Sequence, residues 1–271
     1  MKSILLHVND TEGCEGRLQA TFDIARAFDA HVTMLHAVSY EIFAPGDIYG
    51  SAVAAALPQI REQAAAFRAR MEADLANEDV AWEWVLRHGL PEHALLEYSP
   101  LSDLLVVGPR DAGEADTRAS AMVGTLLVKA RSPVLVMPEG QTAFDAEAPA
   151  FVAWNGSSEA ALALRAAVPM LKKARSVSLV SVSEEKDRER FDFPPVRGAE
   201  YLSRHGIECE LVDIPHGEGS VADTLFHAAE ARKCGLMVMG AYGHSRLAEM
   251  LLGGVTRRAV TNPAIPILLA H

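Results

Sequence analysis

Short apolar runs alternate along this chain with longer stretches whose apolar positions recur every three or four residues, and the two patterns predict strands and helices in turn. "SILLHVNDTEG" at 3–13 reads as a buried strand running into a turn that opens a helix, and Leu18, Phe22 and Ala25 then fall on one helical face. The same order returns at 150–160 with "AFVAWNGSSEA", followed by Leu164, Val168 and Leu171 at the same spacing. A second strand in each copy is predicted at "HVTMLHAVS" (31–39) and "SVSLVSVSE" (176–184), and a later one at "DLLVVG" (103–108) and "GLMVMG" (235–240). The copies close on "SPVLVMP" (132–138) and "IPILLAH" (265–271). Between these landmarks, Ile60, Ala64, Phe67 and Met71 predict a helix over 53–76. "AWEWVLRHG" (81–89) alternates like a strand with Trp82 and Trp84 on one face, and a helix follows from Pro91. Residues 117–130 read as plain helix, "ECELVDIPHG" (208–217) as a strand, and the region near 220–233 as a helix.

Strands alternating with helices imply a parallel sheet covered on both faces, and the repetition makes two of them. The predicted fold is α/β: two tandem, doubly wound, five-stranded Rossmann-like domains at 1–138 and 151–271. The polar, small-residue-rich stretch "EGQTAFDAEAPA" (139–150) interrupts the periodicity and reads as the linker. Two irregular pieces, 39–51 and 184–198, follow the second strand of each copy and are long for loops, which makes them candidate lids. The charged "EEKDRER" within the second reads as a solvated segment. The apolar closing strands would leave unpaired sheet edges unless the two halves pack together, which predicts a pseudo-twofold relation between them.

Composition narrows the function. With 271 residues, 49% hydrophobic and 23% charged, the chain has the makeup of an ordinary globular protein. A formal charge of -11 and the lack of any basic run argue against a nucleic-acid partner. The apolar start "MKSILLHVND" is too short for a signal peptide, and no window approaches the roughly 20 apolar residues of a membrane span. Cys14, Cys209 and Cys234 have neither CxxC spacing nor an even count, which fits a reducing cytoplasm. The ten histidines include no HxH or HxxxH pair, so no metal site of neighbouring ligands is indicated.

The remaining chemistry gathers at "GAYGHSRLAEMLLGGVT" (240–256), directly after the strand "LMVMG". Ligands of parallel α/β sheets bind at the carboxyl ends of the strands, where loops and helix N-termini present backbone N–H groups. Gly240 and Gly243 would let a ligand approach without Cβ obstruction, and Gly253 and Gly254 lead into a helical turn that would aim its positive end at an anion. The spacing G-x2-G-x9-G between that strand and the final "IPILL" strand resembles the nucleotide-binding motif of the universal stress protein family, in its tandem members, and the resemblance covers nearly the whole chain through the "AWNGS" turn.

That resemblance implies ATP or a related adenine nucleotide, with Mg²⁺ bridging the phosphates, and a regulatory role in stress response. Adenine and ribose contacts would fall on Ala153, Trp154, Asn155 and Val182, with Met239 and Gly240 beside the ribose. Gly243, His244, Gly253, Gly254 and Val255 would face the phosphates, although a loop histidine is more often simply exposed. The family usually carries Asp where Asn155 stands and Ser or Thr where Gly254 stands; Thr256 is the nearest substitute hydroxyl. The first copy keeps Gly108 but has Asp111 at the second Gly position, and Ser120 and Ala121 at the third, so it reads as a degenerate, structural partner. There is no GxxxxGK[ST], GxGxxG or GxSxG, and cations near the phosphate loop are few, so binding without rapid turnover is expected. Two rival readings are an interaction scaffold that no longer binds nucleotide and a slow ATPase. The family's habit of pairing domains adds weight to intramolecular pairing and leaves homodimerisation open.

Overall fold

In the amino-terminal half of the computed structural model, the order is β1 (Ser3–Val8), α1 (Cys14–Phe28), β2 (His31–Val38), α2 (Ser51–Asp74), β3 (Trp82–His88), α3 (Pro91–Tyr98), β4 (Leu104–Val107), α4 (Ala121–Lys129) and β5 (Val134–Val136). The other half continues with β6 (Ala150–Ala153), α5 (Ser158–Leu171), β7 (Val177–Ser183), α6 (Pro195–Arg204), β8 (Glu210–Pro215), α7 (Val221–Ala231), β9 (Leu236–Gly240), α8 (Gly254–Thr261) and β10 (Ile267–Ala270). The structure describes residues 1–39, 51–110, 120–183, 194–216, 219–241 and 254–271. The proposed lid at 39–51 and most of that at 184–198 lie outside them.

All ten strands join one sheet in the order β3-β2-β1-β4-β5-β10-β9-β6-β7-β8. Each half contributes five parallel strands, as the repeat predicts, and the second half reverses the order of the first. At the centre β5 and β10 pair antiparallel, Leu135 opposite Leu268, with Val136 opposite Ile267 and Val134 opposite Leu269. All six side chains are buried. The two apolar edges thus cover each other, and the antiparallel register gives the local relation a twofold sense.

Alternation along each strand divides the interior into two layers. Ile4, Leu6 and Val8 face a core shared by α1, α2, α5 and α6, which contains Leu18, Phe22, Phe67, Leu164 and Leu202. Leu5, Leu105 and Met237 face the other core, against Leu95, Leu126, Phe226 and Val260 of α3, α4, α7 and α8. Each core draws residues from both halves, so the sheet is a continuous wall with helices on both sides.

Two elements differ from the sequence reading. The irregular piece at 184–198 gives way to α6, which starts at Pro195 after Pro194; proline is well suited to a first helical position, where its missing N–H is not needed. The expected helix over 117–130 begins at Ala121, with Ser120 as its N-cap accepting from the Val123 N–H at 3.3 Å.

The stretch 139–150 is not a loose tether. Its backbone lies on α1: a methyl group added to Gly13 would sit 3.2 Å from Glu139 Cα, and one on Gly16 only 2.5 Å from the Gln141 carbonyl oxygen. Further along, the Phe144 N–H donates to Asp23 Oδ2 at 2.9 Å, and Phe144 is buried. The Pro149 carbonyl then accepts from the Gly235 N–H at 2.9 Å, which ties the connector to the start of β9. Glycines in this helix mark the path of a neighbouring backbone rather than flexibility.

His7 and His36, near the carboxyl ends of β1 and β2, are both buried, and neither Nδ1 has a hydrogen-bond partner among the described residues. The His36 ring meets Phe67 edge-on at 4.8 Å and Trp84 at 5.6 Å. Burial, aided by the charge of Arg17 and by His36, lowers the pKa of His7 to about 3. Burial lowers that of His36 to about 4, with Asp10 opposing. Folding therefore favours the neutral rings, and the stability they carry is present above the unfolded pKa near 6.5 and drains away as pH falls toward the folded values. We predict that between pH 7.5 and 5.5 each histidine costs the fold about 1.4 kcal/mol. Urea titrations at the two pH values should show His36→Phe losing roughly half as much as wild type; an equal loss would contradict the assignment.

Candidate functional site

β6 lies in the middle of its half-sheet, with β7 on one side and β9 on the other. The chain leaves β6 for α5 on one face, and α8, which follows β9, packs on the opposite face. Where connections diverge in this way, a crevice opens at the carboxyl edge of the strands. Three of the sequence-predicted residues meet there: Val152 pairs with Val238, so Ala153 and Met239 come next side by side, and Val182 is next to last in the neighbouring strand.

The individual positions do different work. Ala153 and Val182 are half-buried and border the core beneath the edge. Met239 is buried. The Trp154 N–H extends the pairing by donating to the Val180 carbonyl at 2.7 Å, but its ring is only 4% exposed and lies against Gly198 in the core. The ring of Trp154 is therefore not at hand for a ligand. Asn155 is exposed, and its Oδ1 accepts from the Ser157 N–H at 3.2 Å and the Ser157 hydroxyl at 2.7 Å. Between them Gly156 takes a left-handed φ of 72°, which a side chain would resist. Ser157 in turn caps α5, its Oγ accepting from the Ala160 N–H at 3.2 Å. This nested turn consumes the carbonyl oxygen of Asn155.

Gly240 is bare for a reason other than ligand approach. A methyl group there would lie 2.6 Å from the Ala160 nitrogen and 2.6 Å from the Glu159 carbonyl carbon. The first turn of α5 therefore rests directly on the end of β9. Burial tends to raise the Glu159 carboxyl pKa, but its own N–H, the hydroxyls of Ser157 and Ser158 and the charge of His271 outweigh that and hold it below the usual range. The positive end of α5 is thus met by a cap and a carboxylate of its own.

α8 presents the opposite case. It starts at exposed Gly254, where an added methyl would meet nothing within 4 Å among the described residues, and its first turn holds no acid. Val255 is half-buried and Thr256 buried. Gly243, His244 and Gly253 lie outside the described residues. Among the described residues no three His, Cys, Asp or Glu side chains cluster in a way that could hold a metal ion.

The equivalent place in the first half is built differently. Ile4 sits between Val32 and Leu104 as Ala150 sits between Val177 and Leu236, so the halves correspond strand by strand. Counted from there, Asn9 matches Asn155, Gly108 matches Gly240, His7 stands for Ala153, His36 for Ser181 and Arg17 for Ala163. Small residues in one half are large in the other. The sequence offered Asp111 as the sign of degeneracy; it lies outside the described residues, and Arg17, which a helical-face reading passes over, is the residue that changes the crevice.

Residues 150–271 match the sequence profile of the universal stress protein family. A search of curated proteins returned no match. Among solved structures, a universal stress protein from Archaeoglobus fulgidus is similar with a TM-score of 0.75 at 17% identity, covering 98% of this chain and 97% of its own. A functionally unknown protein from Pseudomonas aeruginosa is similar with a TM-score of 0.61 at 14% identity, covering 100% of this chain and 92% of its own. The carboxy-terminal half is a universal stress protein domain, and the chain as a whole has the fold of two such units in tandem.

Because α5 rests on Gly240, Gly240→Ala should destabilise the protein without any ligand, by about 1–3 kcal/mol as overpacking does. A urea midpoint unchanged from wild type would show that α5 yields and that this glycine is free to serve a ligand instead.

Proposed function

We propose that the carboxy-terminal half binds ATP, or a related adenine nucleotide, at the carboxyl edge of β6, β7 and β9, and that occupancy acts as a regulatory switch rather than as a step in rapid catalysis. One observation carries the reading: of the two helix N-termini at this crevice, α5 is met by Ser157 and Glu159, while α8 begins at exposed Gly254, which no described residue obstructs, and has no acid in its first turn. A polyanion is drawn to the second. The family resemblance adds Gly243, His244, Gly253 and Val255 as backbone and side-chain partners of the phosphates.

The base would lie over Ala153 and Val182, with the ribose near Met239 and Gly240. Asn155 commits its oxygen to Ser157, which leaves its amide nitrogen as the group to meet an adenine acceptor, without charge. Trp154 contributes backbone alone. Mg²⁺ would be held mainly by the phosphate oxygens, in keeping with its habit of binding through substrate and water rather than a protein cage. As a switch, the nucleotide acts only through its differential affinity for two forms of the protein. Three free thiols, two of them buried, are consistent with a reducing cytoplasm.

Calorimetric titration with Mg-ATP should give a single site per chain, abolished by Gly243→Asp, which sets a carboxylate among the phosphates. Gly254→Ser has room for its side chain and restores a hydroxyl at the α8 terminus, so it should tighten binding about tenfold. No heat at millimolar ATP would favour the interaction scaffold, and phosphate release above the buffer rate would favour the slow ATPase.

A further inference from the structure

The crevice of the amino-terminal half has the same frame as the one proposed for nucleotide, yet protein groups stand in it. Arg17 reaches from α1 toward the ends of β1 and β4 and is 2% exposed. Its Nε donates to the His7 carbonyl at 3.2 Å and its Nη2 to Asn9 Oδ1 at 2.7 Å. A methyl group on Gly108 would overlap Nη1, so the guanidinium lies directly over the glycine that ends the β4 side. In the other half the position of Arg17 belongs to Ala163; Asn155 Oδ1 accepts from the Ser157 hydroxyl as Asn9 Oδ1 does from Thr11 at 2.9 Å, but without a guanidinium beside it.

Two further features close the same edge. The connector crosses the first turn of α1 at Gly13 and Gly16, and Glu139 is forked by Arg110, whose Nε donates to Oε1 at 2.9 Å while Nη2 pairs with Oε2. Arg110 is only 14% exposed, so this fork is sheltered on its cationic side. The terminus of α4, the counterpart of α8, is capped by buried Ser120. Among the described residues, Arg17, Arg110 and the terminus of α4 are thus each already engaged by a residue of the chain.

We infer that the amino-terminal half is self-occupied: Arg17 fills the crevice between β1 and β4 as an internal substitute for a ligand, and residues 139–142 form a strap across α1 that holds it closed. The half then serves as a fixed template against which the other can respond, and the chain carries one open site. Only what the open crevice takes rests on the nucleotide reading; the closure of this one does not.

A buried guanidinium is costly to desolvate and is retained only where its donors are met, so truncating it leaves a cation-shaped void lined by acceptors. Arg17→Ala should lower the melting temperature by roughly 10 °C. Millimolar methylguanidinium should restore part of that loss while leaving wild type unchanged. If the alanine variant does not accumulate as folded protein, Gly108→Ala keeps the arginine but displaces it, and should lower the melting temperature with faster amide exchange at His7 and Asn9. The strap is read separately: Gly16→Ala should raise deuterium uptake across 139–149 severalfold without changing uptake in β9. No loss of stability in the Arg17 and Gly108 variants, or equal action of methylguanidinium on wild type, would overturn the plug. Unchanged uptake in the Gly16 variant would overturn the strap. None of these readouts uses nucleotide, so they stand or fall apart from ATP binding.

Discussion

The antiparallel seam between β5 and β10 is the constraint on which the rest of the molecule depends. Both strands are short and wholly apolar, all residues but Ala270 are buried, and each would be an exposed edge in an isolated half. Their pairing turns two parallel half-sheets into one wall and lets both cores run from one half into the other. It also sets the two crevices in a fixed relation, because each lies at the carboxyl edge of strands locked through the same central pair.

Much of this arrangement was legible in the residues. The paired strand signatures, the helical stripes at Leu18–Ala25 and Leu164–Leu171 and the need to cover two apolar closing strands all follow from periodicity and burial, which are local properties of a sequence. The helix α6 was hidden because a charged run and Pro194 precede it and Pro195 opens it; proline reads as a breaker until one knows it stands first in the helix. The path of the connector was out of sight for a related reason. A polar, small-residue-rich composition marks 139–150 as a linker but does not give its route, and the close approach of Glu139 and Gln141 to Gly13 and Gly16 depends on residues distant in sequence.

Site residues were legible as a place more than as a set of contacts. The crevice between β6 and β9 could be located from a strand followed by a glycine-rich stretch. The fates of Trp154 and Gly240 could not, since each depends on a partner distant in sequence: Gly198 on α6 for the ring, Ala160 on α5 for the glycine. Arg17 was invisible for the same reason. On a helix wheel it is a polar residue beside an apolar face, and nothing in the local pattern reveals that Gly108, about ninety residues later, leaves space for its guanidinium.

The seam also governs how the protein comes into being. β5 is complete four helices and four strands before its partner β10, the last strand of the sheet to leave the ribosome. For the whole time that the intervening chain is being translated, the inner edge of the nascent first domain has no neighbour and offers an apolar ladder to any other extended segment nearby. The connector packed along α1 shortens the search that ends this interval, because it delivers the second half already oriented toward the waiting edge. Chaperone demand for this chain should therefore last until β10 has emerged, because its central strand stands alone until then.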